Sequence, residues 1–326
     1  MQMKGGSFRA LADKIRKEKK KVIVYGAGAI GAYFGGRFAE AGANVTFFVR
    51  ERRATQLANG LTIESPEGNV HMPVQVATSV DDVTTANVII VAVKGYHFTD
   101  ALPQIVELAN KTNAYVLPLL NGIEHVALLR KSLGEHRVIG GFASIIATLN
   151  EQGHVIHSSK GSNIQIGALA AEQQPIVDEL AAMSERMHTD VVAQSDIVKG
   201  MWKKYMLIAA FAGITSTTQQ PASSMQHEAT LNVAKTIVRE LAQLAQLEGV
   251  SFTADEIEKE ASRLEKFKGN VTSSMHQDLR KGLPLEVEHL HGGALRIAQK
   301  HGVTVPTIAT VYGILQPYAH GTPTNE

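Results

Sequence analysis

The sequence predicts an α/β fold in two parts: a doubly wound parallel sheet over residues 21–195 and an all-helical domain over 196–326. Three observations predict it. The first half alternates β-branched apolar runs with helix-period segments, the rhythm of βαβ units. A glycine-rich turn stands between the first such run and the first helix. After about residue 195 strand signals stop, and helical periods follow one another through 196–215, 228–248, 253–267, 270–281 and 285–301.

Taken in order, "KVIVYG" (21–26) is an apolar strand, and the helix behind it runs to Gly42, a good C′ stop. "NVTFFVR" (44–50) is the second strand, with a short helix ending near Gly60. "LTIES" and "NVHMPVQVAT" flank a Pro-Glu-Gly turn and read as a hairpin insertion. "NVIIVAVK" (87–94) and "NAYVLPLLN" (113–121) have the composition of buried parallel strands. "RVIGGFASIIATL", "HVIHSS" and "NIQIGAL" are expected to extend the same sheet. The domain boundary is expected near "VVAQSDIVKG".

Length and charge limit the function. A chain of 326 residues can bury a large core in each of two domains. A net charge of +1 gives no global attraction to nucleic acid or to an anionic membrane. The exception is local: eight lysines and arginines face only Asp13 and Glu18 in residues 1–21. Residues 1–20 are therefore expected to be a solvated, flexible basic leader. Without cysteine there is no disulfide or thiolate chemistry, which fits a cytoplasmic enzyme. The apolar runs around Ile89 and Ile208 are too short to span a bilayer.

The chemistry begins at the first turn. Gly26, Gly28 and Gly31 have G-x-G-x-x-G spacing directly after a strand and at the start of a helix, the arrangement of a Rossmann-type unit. Gly26 permits the tight turn, Gly28 lets the backbone approach a pyrophosphate, and Gly31 lets the helix pack on the strand. Along the loop, Ala27, Ala29 and Ile30 contribute backbone to a diphosphate at the positive helix end. The second strand ends in Arg50 rather than in an acidic residue, with Arg52 and Arg53 just beyond. Arginine pairs with a 2′-phosphate, so NADP(H) is expected over NAD(H). Lys94 ends its strand on the same side of the sheet and is expected to add positive charge there.

The stretch "GMWKKYMLIAAFAGIT" (200–215) places two lysines at the mouth of a helix that is apolar all round. Lys203 shares a stripe with Lys199 and Asp196, so it faces solvent. Lys204 shares its stripe with Gly200, Met201, Ile208 and Phe211, so it faces inward. A lysine that snorkels out along its stem also meets this position.

Read together, the glycine loop, "VAVKGYHFTDA", "LPLLNGIEHV", "MWKK" and "SSMHQDLRKGLPLEVE" resemble the ketopantoate reductase family from residue 21 to about 310. The resemblance implies an NADPH-binding Rossmann-type domain and a helical domain around a cleft, where NADPH reduces 2-dehydropantoate to pantoate on the way to coenzyme A. It implies that Lys204 is the proton donor and that Asn121 contacts nicotinamide and substrate. Ser274 is implied to hold the substrate carboxylate, and Glu286 to lie near the cofactor, where it could also pair with Lys204. Ile146, on the strand after Gly140 and Gly141, aligns with a residue that touches the cofactor through its backbone.

The departures concern the substrate. Where the family places asparagines four and eight residues after the lysine, this chain has Ile208 and Ala212; a third aligns near Ala222, and a later Asn-Gly pair reads His291-Gly292. Ile208 and Ala212 are expected to line the pocket and make it apolar. Two alternatives to ketopantoate reduction stay open: reduction of a more apolar 2-oxo acid, and a non-catalytic NADPH-binding sensor. His289 and His291 point to different sides of a helix, which speaks against a metal site. The expected partner is a small 2-oxo acid, with a homodimer through the helical domain as a further possibility.

Overall fold

The computed structural model describes residues 19–322; the basic leader, but for Lys19 and Lys20, lies outside the described residues. The chain order is β1 (Lys21–Tyr25), α1 (Ala29–Glu40), β2 (Asn44–Phe48), α2 (Glu51–Leu57), β3 (Leu61–Glu64), β4 (Val70–Met72), β5 (Gln75–Ala77), β6 (Val88–Val91), α3 (Phe98–Thr112), β7 (Tyr115–Pro118) and α4 (Glu124–Leu133). Then follow β8 (Gly140–Ser144), β9 (Ala147–Leu149), β10 (Val155–His157), β11 (Asn163–Gly167), α5 (Gln174–Ala182) and β12 (Asp190–Ala193).

The main sheet has the order β5-β2-β1-β6-β7, and every pair in it is parallel. Strand order reverses on either side of β1, so the loops after β1 and β6 open a crevice at the carboxyl edge. Val22, Ile23 and Val24 are at most 1% exposed, because helices cover both faces of a parallel sheet.

Two expectations fail here. The later strands do not extend the main sheet: β8 pairs antiparallel with β11, which pairs with β12, and β10 joins β9 and β3. Antiparallel pairing of sequence neighbours needs no crossover helix, and "ASIIATL" and "HVIHSS" have none between them. The hairpin is real in β3 and β4, but "QVA" leaves it and becomes the edge strand β5.

The second half is helical: α6 (Ile197–Thr218), α7 (Glu228–Leu247), α8 (Ala254–Ser262), α9 (Ser274–Arg280), a π-helical turn (Glu288–Gly292) running into α10 (Gly293–Lys300), and α11 (Pro306–Leu315). The last of these was not read from the sequence. Asp196 caps α6 by accepting the Lys199 N–H at 3.0 Å. Thr253 and Glu256 form a reciprocal capping box on α8. α6 is buried on nearly every side from Met201 to Ser216, which explains its unpatterned apolar sequence. No described helix is long and apolar enough to cross a membrane.

Candidate active site

At the first turn Gly26 has φ +94° and its N–H donates to Phe48 O at 3.0 Å, tying the loop to the end of β2. A Cβ on Gly31 would stand 2.0 Å from Gly26 O, so only glycine lets α1 start so close. A Cβ on Gly28 would meet nothing within 4 Å. That open space lies at a helix N-terminus with no side-chain cap, so the residues present fit a diphosphate. Arg53 supports the loop from outside, donating to Ala27 O at 2.8 Å and to Gly153 O at 2.8 Å. Arg50 is exposed at the start of α2, and its charge reaches Tyr25 and His97. It has the freedom that a phosphate ligand needs; Arg53 does not.

The helical domain closes on the ends of β6 and β7 through buried charge. Glu286 is 3% exposed. Its Oε1 accepts the Gly95 N–H at 2.9 Å, and its Oε2 lies 3.5 Å from Asn121 Nδ2 and 3.6 Å from Lys94 Nζ. Asp278 Oδ2 takes Lys94 Nζ at 2.8 Å. Burial opposes the Lys94 charge, but Glu286 and Asp278 outweigh it and hold the ammonium above its ordinary range. Lys94 is therefore not a spare cation for the cofactor, as its strand position suggested, and Glu286 does not pair with Lys204.

A second clasp is Arg296, which donates to Glu124 at 2.9 and 2.6 Å. Between the clasps, the π-turn presses His289 against Gly95 and Gly122: a Cβ on Gly95 would sit 2.5 Å from His289 Cγ. Gly122, at φ +87°, makes Asn121-Gly122 a turn as well as a ligand candidate.

Lys203 and Lys204 separate as their phasing predicts. Lys199 and Lys203 both reach Glu256, at 2.7 and 3.8 Å. Lys204 is partly buried, and among the described residues no carboxylate lies within 4 Å of it. Burial, with the Arg263 guanidinium as a like charge, lowers its ammonium to about 8. One turn before it, Gly200 lies on Phe142, since a Cβ there would stand 3.2 Å from the ring. Lys204 thus stands where α6 leaves the first domain for the second.

The remaining candidates divide. Ser274 is exposed at the first turn of α9, with no partner for its hydroxyl among the described residues, whereas Ser273 is buried against Thr215 Oγ1 at 2.8 Å. Ile208 is partly buried beside the helical core. Ala212 is only 2% exposed and packs in the helical core, against the pocket-lining place expected of it. Ile146 lies in the bend between β8 and β9, not on a strand; its N–H donates to Ser159 Oγ and its carbonyl accepts from Ser158, which leaves its exposed side chain as the free part. His291 is fully buried and bonded to Ala209 O at 3.0 Å, a core contact. Asp278, Gly95 N–H, Glu124 and His289 were given no role from sequence. Three of them carried a signal by lying in stretches quoted above: Gly95 in "VAVKGYHFTDA", Glu124 in "LPLLNGIEHV" and Asp278 in "SSMHQD".

Fold and seam together define a two-domain oxidoreductase of the dinucleotide-binding kind. Residues 22–171 match the family described as ketopantoate reductase PanE/ApbA, and residues 196–319 match its C-terminal region. The chain belongs to the ketopantoate reductase family. It is 31% identical over 300 residues to the uncharacterised oxidoreductase YkpB of Bacillus subtilis, covering 91% of this chain and 98% of that one. A ketopantoate reductase from Ralstonia eutropha superposes with a TM-score of 0.80 at 25% identity, over 92% of this chain and 98% of that one. A D-mandelate dehydrogenase solved with NADH and anilino(oxo)acetate shares the fold, with a TM-score of 0.82 at 20% identity and the same coverage.

Proposed function

We propose that this protein reduces a 2-oxo acid to the 2-hydroxy acid with NADPH. The observation that carries the reading is Lys204, a partly buried ammonium at the domain seam with no carboxylate to neutralise it among the described residues. NADPH, when bound, supplies a hydride to the substrate's carbonyl carbon. Negative charge then grows on the carbonyl oxygen. An ammonium titrating near 8 both stabilises that charge and gives up its proton at neutral pH. Glu286 orients the Asn121 amide by facing its Nδ2, which leaves the carbonyl oxygen of the amide for a donor in the cleft. The free hydroxyl of Ser274 is available to a carboxylate, and Arg50 to a 2′-phosphate.

Family membership favours 2-dehydropantoate as the substrate, with pantoate for coenzyme A synthesis as the product. Ile208 favours a second reading. It stands one turn beyond Lys204 where a polar side chain would read a substrate hydroxyl, and so suits a branched or aromatic apolar 2-oxo acid better. The test is NADPH oxidation by the purified protein with ketopantoate, 2-oxoisovalerate and phenylglyoxylate. Turnover of any one supports the reductase, and a ketopantoate preference of about 10³ in kcat/KM supports the first substrate over the second. Tight NADPH binding with no turnover of any 2-oxo acid refutes the reductase and leaves a dinucleotide sensor.

A further inference from the structure

We infer that Arg263 is a second cation of the substrate site, placed to hold the carboxylate of the 2-oxo acid while Lys204 addresses its carbonyl; the inference rests on the reading of the cleft just given. The argument starts from the path of the chain beside α6. α8 begins against the first turns of α6, where Glu256 takes Lys199 at 2.7 Å and Lys203 at 3.8 Å. Farther along, Phe267 stacks on Phe211, with ring centroids 4.4 Å apart and planes 16° off parallel. The segment from Glu256 to Phe267 therefore travels along α6 from the lysine pair to Phe211. Arg263, in the 3₁₀ turn Arg263–Lys266, falls between the two anchors, past Lys203 and short of Phe211. Phe211 stands two turns beyond Lys204 on one stripe of α6, so the segment ends on the Lys204 side of the helix.

Electrostatics agree with that path. After burial, Arg263 is the charge that most depresses the Lys204 ammonium. Two cations whose charges reach each other repel unless an anion lies between them. Glu260 answers only part of this. It is 6% exposed and takes Arg263 Nη1 at 2.6 Å, which fixes the guanidinium. Among the described residues Nη1 is the only guanidinium nitrogen of Arg263 that is bonded, and the side chain is 46% exposed. The Nε and Nη2 edge is therefore free for a bidentate contact, the geometry in which arginine binds carboxylate best. A 2-oxo acid carries its carboxylate on the atom next to its carbonyl, so a cation at one oxygen calls for a partner a few ångströms away. With Ile208 unable to hydrogen-bond, an arginine here supplies grip that this face of the helix lacks.

The test compares wild type with Arg263→Gln, Arg263→Lys and the double variant Glu260→Gln/Arg263→Gln, the last to avoid leaving Glu260 unpaired. The glutamine variants should raise KM for the best 2-oxo acid about 10–100-fold, the range for a lost charged hydrogen bond, with KM for NADPH and the melting temperature unchanged. Arg263→Lys should restore part of the loss. An unchanged KM for the acid in the folded variants overturns the inference and leaves the reductase reading intact. If wild type reduces no 2-oxo acid, that reading falls by itself, and calorimetric titration with oxalate still decides Arg263. Oxalate affinity that drops with Arg263→Gln supports the role. Equal affinity, or no oxalate binding to wild type, overturns it.

Discussion

Replacing Lys204 with methionine should remove activity and add stability, a combination that a merely structural lysine cannot produce. Burial and Arg263 bring the ammonium from an ordinary 10.5 to about 8, which corresponds to roughly 3 kcal/mol against the charged form. The folded chain thus binds this proton more weakly than the unfolded chain does. Between about pH 8 and 10.5 the unfolded state holds more protons, so stability rises with pH across that window and the penalty is complete below it. At pH 7, Lys204→Met relieves that penalty, and the melting temperature should rise by several degrees, with about 3 kcal/mol as the upper bound. Turnover should fall by about 10²–10⁴, the range for losing one general acid, with NADPH affinity nearly unchanged. The wild-type enzyme should keep full kcat below about pH 7 and lose about tenfold per pH unit above 8, because the amine can no longer donate. Lys203→Met should do neither, since Lys203 points to Glu256. Steady-state kinetics from pH 6 to 10 and thermal melts of the three proteins provide the check. A flat kcat through pH 9.5, or a Lys204→Met protein that melts below wild type, would refute the reasoning.

Arg50→Ala should weaken NADPH by about 1.5–3 kcal/mol and leave NADH almost untouched, read by fluorescence titration with each cofactor; equal losses would mean that Arg50 does not contact the 2′-phosphate. Gly28→Ala should fold with a near-normal melting temperature, because its Cβ meets nothing, yet bind NADPH at least about tenfold more weakly as the methyl enters the diphosphate space. Gly31→Ala, with its Cβ 2.0 Å from Gly26 O, should cost about 3 kcal/mol or more in urea unfolding. Acid should destabilise the fold through two buried histidines. Burial, with His289 beside it, holds His125 at about 3, and burial holds His291 at about 4, while the unfolded chain takes up both protons below about 6.5. Stability should therefore fall with pH by up to about 2.7 kcal/mol per unit between 6 and 4, and His125→Leu should halve that slope in urea melts.

The sequence by itself determined the features that depend on spacing along one element. The β-branched runs that became the main sheet follow from composition, the glycine turn from its motif spacing, and the long buried helix and the opposite facing of Lys203 and Lys204 from the 3.6-residue period. Arg50 was legible as the residue that ends the second strand and Ser274 only through the family resemblance; that both side chains are exposed came from the structure. The tertiary structure alone decided which charges meet. Lys94 looked like a free cation at the end of a strand, but its fate rests on Asp278, 184 residues away, and Glu286 is spent on Gly95, 191 residues away. Only the closed seam shows that Lys204 has no carboxylate within reach among the described residues, and only the packing of α6 against its neighbours hides Ala212. The division of the strands into three sheets is of the same kind. Each strand's composition shows that it will be buried, but its partner depends on the whole path between them, and no local pattern carries that path.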